Sequence, residues 1–176
     1  MKNNIYLIGF MGTGKSTVSK ALQEITMFQE IDTDMEISKQ ENSSIPELFE
    51  KYGEGYFREL ETQFLKKMNQ TQHCIISCGG GMVLKEENIR LMKKNGIVIL
   101  LTATAKTVLE RVESGKDRPI LKDHMNVEYI ENLMAKREEH YKKAQELIIS
   151  TDERTPEEIS EEILKELNSI HFSFDF

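Results

Sequence analysis

Cysteine is scarce in this chain, with only Cys74 and Cys78 among 176 residues. The two lie four positions apart on one apparent strand. A lone pair so placed suggests no disulfide framework, and no second Cys/His pair completes a zinc site. A reducing cytoplasmic setting is the expectation, and no catalytic thiol is expected because no basic neighbour marks a lowered pKa. No apolar run approaches the ~20 residues that span a bilayer, so no membrane partner is expected. Residues 1–4 lead straight into a short apolar strand, without the hydrophobic stretch and cleavage site of a signal peptide. Positive charge is in deficit: 23 Lys and Arg stand against 30 Asp and Glu, giving a formal net charge of -7. A general nucleic-acid binder needs the opposite balance, so any phosphate site must be a local concentration of positive groups. Internal repeats, low-complexity tracts and domain linkers are absent too, and the length suits one compact domain.

What is present alternates. Ile5-Tyr6-Leu7-Ile8 is a short apolar strand, followed by a glycine-rich turn and a helix from Lys15 to about Glu24. A second strand is expected at Phe28–Ile31 and ends in Asp32-Thr33-Asp34. Ser44, Pro46 and Glu47 form a helix start with a capping box. Gly53 and Gly55 punctuate before a helix over Tyr56–Met68. Cys74–Cys78 reads as a buried strand that ends in Gly79-Gly80-Gly81. Helix 86–94, strand 97–101 and a helix capped by Thr104 follow. The polar segment Ser114–Pro119 breaks that helix and is the best candidate for a mobile loop. A helix over about 127–144, a strand at Leu147–Ile149 and a helix opened by Pro156 complete the pattern. The alternating tail His171–Phe176 receives no function. Short apolar strands alternating with amphipathic helices describe an α/β domain with a mainly parallel sheet covered on both faces. Ligands of such sheets bind beyond the carboxyl ends of the strands, where three motifs of this chain fall.

The first motif, Gly9-Phe10-Met11-Gly12-Thr13-Gly14-Lys15-Ser16-Thr17, satisfies G-x-x-x-x-G-K-[ST] between a strand and a helix. Its glycines let backbone N–H groups converge on phosphate oxygens, and the helix N-terminus adds a positive dipole end. Gly12, Thr13, Gly14, Lys15, Ser16 and Thr17 are therefore assigned to ATP, with Lys15 reaching the β- and γ-phosphates and Ser16 helping to hold Mg²⁺. In the second motif, alternation along an extended chain would turn Asp32 and Asp34 toward the same loop. Asp32 is assigned to the metal, through a bound water, and Asp34 to the hydroxyl that attacks. Asp34 also fits the bland role of capping a helix over 35–41.

These motifs, with Phe57-Arg58-Glu59-Leu60-Glu61, Gly79-Gly80-Gly81, Arg118-Pro119-Ile120-Leu121 and Arg137-Glu138-Glu139-His140-Tyr141, resemble the shikimate kinase family from Gly9 to Pro156. The resemblance implies a three-layer α/β/α P-loop fold like that of nucleoside-monophosphate kinases. Its five-stranded parallel sheet would carry a substrate-binding insertion at about 33–61 and a lid at about 113–125. It further implies transfer of the γ-phosphoryl group of ATP, with Mg²⁺, to the 3-hydroxyl of shikimate, on the pathway to chorismate and the aromatic amino acids. On this resemblance Asp34, Lys15 and Arg118 are catalytic. Arg58 and Arg137 grip the shikimate carboxylate, Glu61 steadies Arg58, and Gly79, Gly80 and Gly81 admit the ring. Arg111 and Thr155 lie near the adenine. Two guanidinium groups suit one carboxylate because each offers a planar fork that Lys lacks.

Plainer readings stand beside these. Arg58 and Arg137 each have acidic neighbours and fit surface helix pairs. Arg118 fits a solvated loop, and Thr155-Pro156 fits a simple helix start. Another small-molecule P-loop kinase, gluconate-like or nucleoside-monophosphate-like, is the competing function, and a non-catalytic nucleotide-dependent module is the other. With no long apolar stripe in view, a monomer is expected.

Overall fold

The computed structural model describes residues 3–113 and 126–174. The lid core and Arg118 lie outside the described residues. Five strands form one sheet: β1 (Asn4–Ile8), β2 (Gln29–Asp32), β3 (Cys74–Ser77), β4 (Gly96–Thr102) and β5 (Leu147–Ser150). Their spatial order is β2-β3-β1-β4-β5, and every pairing is parallel. The helices are α1 (Lys15–Thr26), α2 (Thr33–Glu41), α3 (Ile45–Met68), α4 (Glu86–Asn95), α5 (Ala105–Glu113), α6 (Val127–Ala144) and α7 (Pro156–Ser169).

Alternation along the buried strands feeds two cores. Ile5, Leu7, Ile99 and Leu101 face α1 and α7, where Leu22, Ile163 and Leu167 are fully buried. Tyr6, Ile8, Ile76 and Val98 face the other way, against Leu65, Met92 and Ala144. Each such aliphatic side chain contributes about 1.5–3 kcal/mol when removed from water, so both faces of the sheet must be covered. The tail has a place in this packing: Phe172 and Phe174 lie against the α1/α7 core, with the Phe174 ring 5.9 Å from Phe28. Its alternation therefore reads as packing.

Local signals set most boundaries. Ser44 and Glu47 close a capping box at α3, and Thr155 and Glu158 close another at α7. α3 continues through the expected break at 53–55 and leaves helical geometry only at Gly53 (φ 79, ψ 170). β2 starts one residue later than expected and includes Asp32, so Phe28 packs as the entrance to the strand. Cys78 falls outside β3 but still donates its N–H to Leu7 O at 3.0 Å. Both cysteines are free and buried.

Gly96 is the first residue of β4, paired with Asn4, and a Cβ there would lie 2.3 Å from the Asn4 carbonyl oxygen. That neighbour is backbone and cannot turn aside. Gly96→Ala is expected to cost about 1–3 kcal/mol of stability, read as a lowered urea midpoint with an unchanged slope.

Candidate active site

The phosphate loop leaves β1 through Gly9 (φ +149), where a Cβ would lie 2.4 Å from the Leu101 carbonyl oxygen. Gly14 holds φ 91 at the N-cap of α1. No L side chain adopts these conformations without strain, and together they turn the loop around the start of the helix. Lys15 folds across it, donating from Nζ to Gly9 O at 2.9 Å and Phe10 O at 3.0 Å. Thr13 is buried and donates to Phe10 O at 2.8 Å, so its side chain shapes the loop from within. Thr17 is exposed on the first turn of α1.

Ser16 Oγ donates to Asp32 Oδ2 at 2.9 Å and lies 3.2 Å from Ser77 Oγ. The expectation that Asp32 and Asp34 alternate on an extended chain fails. The strand ends at Asp32, α2 begins at Thr33, and Asp34 sits in its first turn. It is Asp32 that caps this helix, accepting from the N–H groups of Asp34 at 3.1 Å and Met35 at 3.2 Å. Asp34 reaches the site by another route. Thr33 Oγ1 accepts from Gly79 N–H at 2.8 Å, which ties the start of α2 to the end of β3.

The glycine triplet is the spine of the site. A Cβ on Gly79 would lie 2.5 Å from Asp34 Oδ1 and 3.2 Å from Glu61 Oε1. On Gly81 it would lie 2.3 Å from Arg58 Nη2, so this guanidinium rests on the Gly81 backbone. Gly80 is more open, and its carbonyl accepts from Tyr141 Oη at 2.7 Å and Arg137 Nη1 at 3.5 Å. Arg137 also stacks over Phe10, 5.7 Å from the ring centroid. Burial pushes the Tyr141 hydroxyl up to about 12, which keeps it a neutral donor.

Arg58 Nη1 donates to Glu61 Oε2 at 2.8 Å, and the accepting carboxylate belongs to a side chain with no exposed surface. Its Nε and Nη2 both donate to Glu54 Oε1, at 3.1 and 2.9 Å. Burial pushes Glu61 up to about 7; Arg58 offsets part of that, and the nearby Asp34 and Glu54 carboxylates add to it. Arg111, at the end of α5, bridges Gly12 O at 3.3 Å with Thr151 Oγ1 at 2.9 Å and Thr151 O at 2.7 Å. It thereby joins the phosphate loop to the loop after β5. Thr155 spends its hydroxyl on the α7 cap.

The structure thus gathers Lys15, Ser16, Asp32, Asp34, Arg58, Glu61, the triplet and Arg137 around the carboxyl ends of β1, β2 and β3. Sequence reasoning missed Ser77, Thr33 and a role for Tyr141; it placed Glu54 only among the acidic neighbours that would pair with Arg58 on a helix, and that pair forms. Glu54 and Tyr141 carried a signal, since each stands four residues from a site arginine on the same helix face. Ser77 and Thr33 carried none apart from their place at strand ends.

Glu61 also sets a pH dependence. Its folded pKa of about 7 stands above the ordinary 4.5, so the folded state holds its proton more tightly. The stabilisation is therefore complete below 4.5 and is lost as pH rises through 7. Glu61→Gln is expected to flatten the fall of unfolding free energy across that window, measured by urea denaturation at stepped pH. An unaltered slope would place the titration elsewhere.

The shikimate kinase family model matches residues 11–168. A shikimate kinase of Persephonella marina is 43% identical over 161 residues, covering 92% of this chain and 96% of the relative. The shikimate kinase of Acinetobacter baumannii, solved in complex with shikimate, superposes with a TM-score of 0.89 at 30% identity. That alignment covers 97% of this chain and 96% of that one. The Aquifex aeolicus shikimate kinase structure gives a TM-score of 0.81 at 39% identity, covering 96% and 98%. With its phosphate loop, strand-end acids and paired arginines in place, the chain belongs to the shikimate kinase family.

Proposed function

We propose that the gathered residues carry out the family's reaction, transfer of the γ-phosphoryl group of ATP to the 3-hydroxyl of shikimate. The observation that carries this assignment is the glycine triplet. Gly79 faces a carboxylate pair, Gly80 an arginine on α6, and Gly81 an arginine on α3. A small ring bearing hydroxyls and one carboxylate matches that order of groups. A nucleoside acceptor would need a base-stacking wall instead, and gluconate offers no flat ring for the triplet to admit.

In this reading Arg58 and Arg137 hold the substrate carboxylate by charge-assisted hydrogen bonds, and Glu61 fixes the plane of Arg58 from the buried side. Asp34 orients the 3-hydroxyl and takes its proton. The hydroxyl oxygen forms the new bond to the γ-phosphorus as the bond to the β,γ-bridging oxygen breaks, and ADP leaves with that electron pair. Lys15 exchanges its carbonyl partners for phosphate oxygens, where its charge follows the transferring group. Gly12, Thr13 and Gly14 present backbone N–H groups to the phosphates. Arg118, outside the described residues, is assigned to the transferring phosphate from the lid at about 113–125. Residues 33–61 form the acceptor-binding insertion, within one domain. Arg111 and the loop before Thr155 border the adenine.

The donor set fits Mg²⁺. Ser16, Asp32 and Ser77 offer only hydroxyl and carboxylate oxygens, the hard ligands this ion prefers. Among the described residues no group of three or more acidic, His or Cys side chains forms a metal cage, as suits an ion bound mostly by phosphates and water. Bound there, the ion would neutralise β- and γ-phosphate charge. The reading includes a monomer in the cytoplasm, and among the described residues no helix is long and apolar enough to cross a membrane.

Coupled ADP-release assays with shikimate, gluconate and AMP are expected to show turnover with shikimate alone. Asp34→Asn is expected to lower kcat by on the order of 10²–10⁴ while ADP affinity holds. A near-normal kcat would remove Asp34 from the chemistry. Arg137→Lys is the cleaner probe of the carboxylate clamp, because Arg58 also neutralises buried Glu61. Losing its fork is expected to raise the shikimate KM by roughly 10- to 100-fold, with a smaller effect on kcat.

A further inference from the structure

The guanidinium of Arg58 is already engaged on the side that faces solvent. Glu61 holds Nη1 from a fully buried position, while the Glu54 carboxylate takes Nε and Nη2 together from a side chain that is 60% exposed. The Gly81 backbone covers the guanidinium plane, and Phe49 and Phe57 lie 5.9 and 5.5 Å from it. A planar guanidinium has two edges that can receive a carboxylate as a fork, the side edge Nε/Nη2 and the end edge Nη1/Nη2. Glu54 occupies the first, and each edge shares an amino group with it or with Glu61. A ligand carboxylate arriving at Arg58 therefore meets one already there.

We propose that Glu54 is a placeholder for the substrate carboxylate: it holds the open fork of Arg58 and yields it when substrate binds. The inference rests on the reading that Arg58 receives that carboxylate. Position makes Glu54 suited to leave. It follows Gly53, the single non-helical residue of α3, and its exposed carboxylate recovers water on release. Glu61, without exposed surface, has no such exit. The placeholder keeps the guanidinium flat against Gly81 and oriented before binding. It also selects: an uncharged polyol cannot replace the ion pair it would break, whereas an incoming carboxylate exchanges like for like. Glu54 would thus be a specificity-determining residue that weakens binding of every ligand somewhat, and of ligands without a carboxylate most.

An ordinary helix pair four residues apart would look similar in outline, and the two differ in what removal does. If Glu54 competes with substrate, Glu54→Gln lowers the shikimate KM by roughly 2- to 5-fold, the range set by partly exposed ion pairs, and the change is carried by KM rather than kcat. Glu50→Gln, which removes the same charge from an exposed position one turn earlier, leaves KM where it was. Arg58→Lys, measured alongside, raises KM if Arg58 receives the carboxylate. An unchanged or raised KM in Glu54→Gln while Arg58→Lys raises it would overturn the placeholder and leave the clamp standing. An unchanged KM in Arg58→Lys would overturn both. A drop in melting temperature for Glu54→Gln without any fall in KM would show the pair to be structural.

Discussion

Parallel pairing sets the level at which this site is built. Leu7 is in register with Ser77, and Ser77 with Asp32, so β1, β3 and β2 reach their carboxyl ends in one row. The next residues along are Gly9, Gly79 and Asp34, within two positions of that row. A slip by one residue would turn the side chains of a slipped strand to the opposite face of the sheet, and the register is protected against it by two buried cores of opposite parity. The contact between Ser16, Asp32 and Ser77 follows from this row. So does the hydrogen bond from Gly79 to Thr33, which brings the triplet beneath Asp34.

Much of this was legible in the residues. Short unbroken apolar runs at 5–8 and 97–101 gave the strands, and Ser44 with Glu47 and Thr155 with Pro156 marked two helix starts that the structure reproduces. The glycine-rich motif placed its own loop. The relation of Asp32 to Asp34 was harder, because an acid after a strand can extend it or cap a helix, and the choice lies in tertiary context. Here Asp32 does both, ending β2 and capping α2, while Asp34 reaches the site from a helix. Ser77 and Thr33 were invisible for a related reason: a hydroxyl at a strand end has no periodic signature, and its partner lies 61 or 46 residues away. The Phe-rich tail was unreadable because its contact, the ring of Phe28, lies far back in the chain.

Electrostatics explains why a net acidic protein can hold a site for anions. The positive groups are gathered locally, Lys15 at the start of α1 where the helix dipole adds to it and Arg58 and Arg137 against the triplet, rather than spread as a surface field. Their cost is carried by pairs. Glu61 is buried beside Arg58 and Asp34, and removing one member of such a buried pair costs about 3–5 kcal/mol because the other charge stays in place. Burial that pushes Glu61 up to about 7 makes its charge depend on Arg58 staying close. The acid that orients the arginine is in turn kept from a still higher pKa by it.

The same logic links the two ends of the reaction site. Lys15 lies on the carbonyls of Gly9 and Phe10, and Arg58 lies on Glu54. Neither cation waits bare in a half-buried position, where an uncompensated charge would be expensive. Each is held by an acceptor that resembles what it will later bind: carbonyl oxygens in place of phosphate oxygens, and a carboxylate in place of a carboxylate. Binding then exchanges partners rather than creating contacts from nothing. Such exchange lowers the affinity that contact counting would suggest, but it keeps the cations oriented before the ligand arrives. A site that must close over two anionic ligands gains from that order, since no step requires a charged side chain to search for its place.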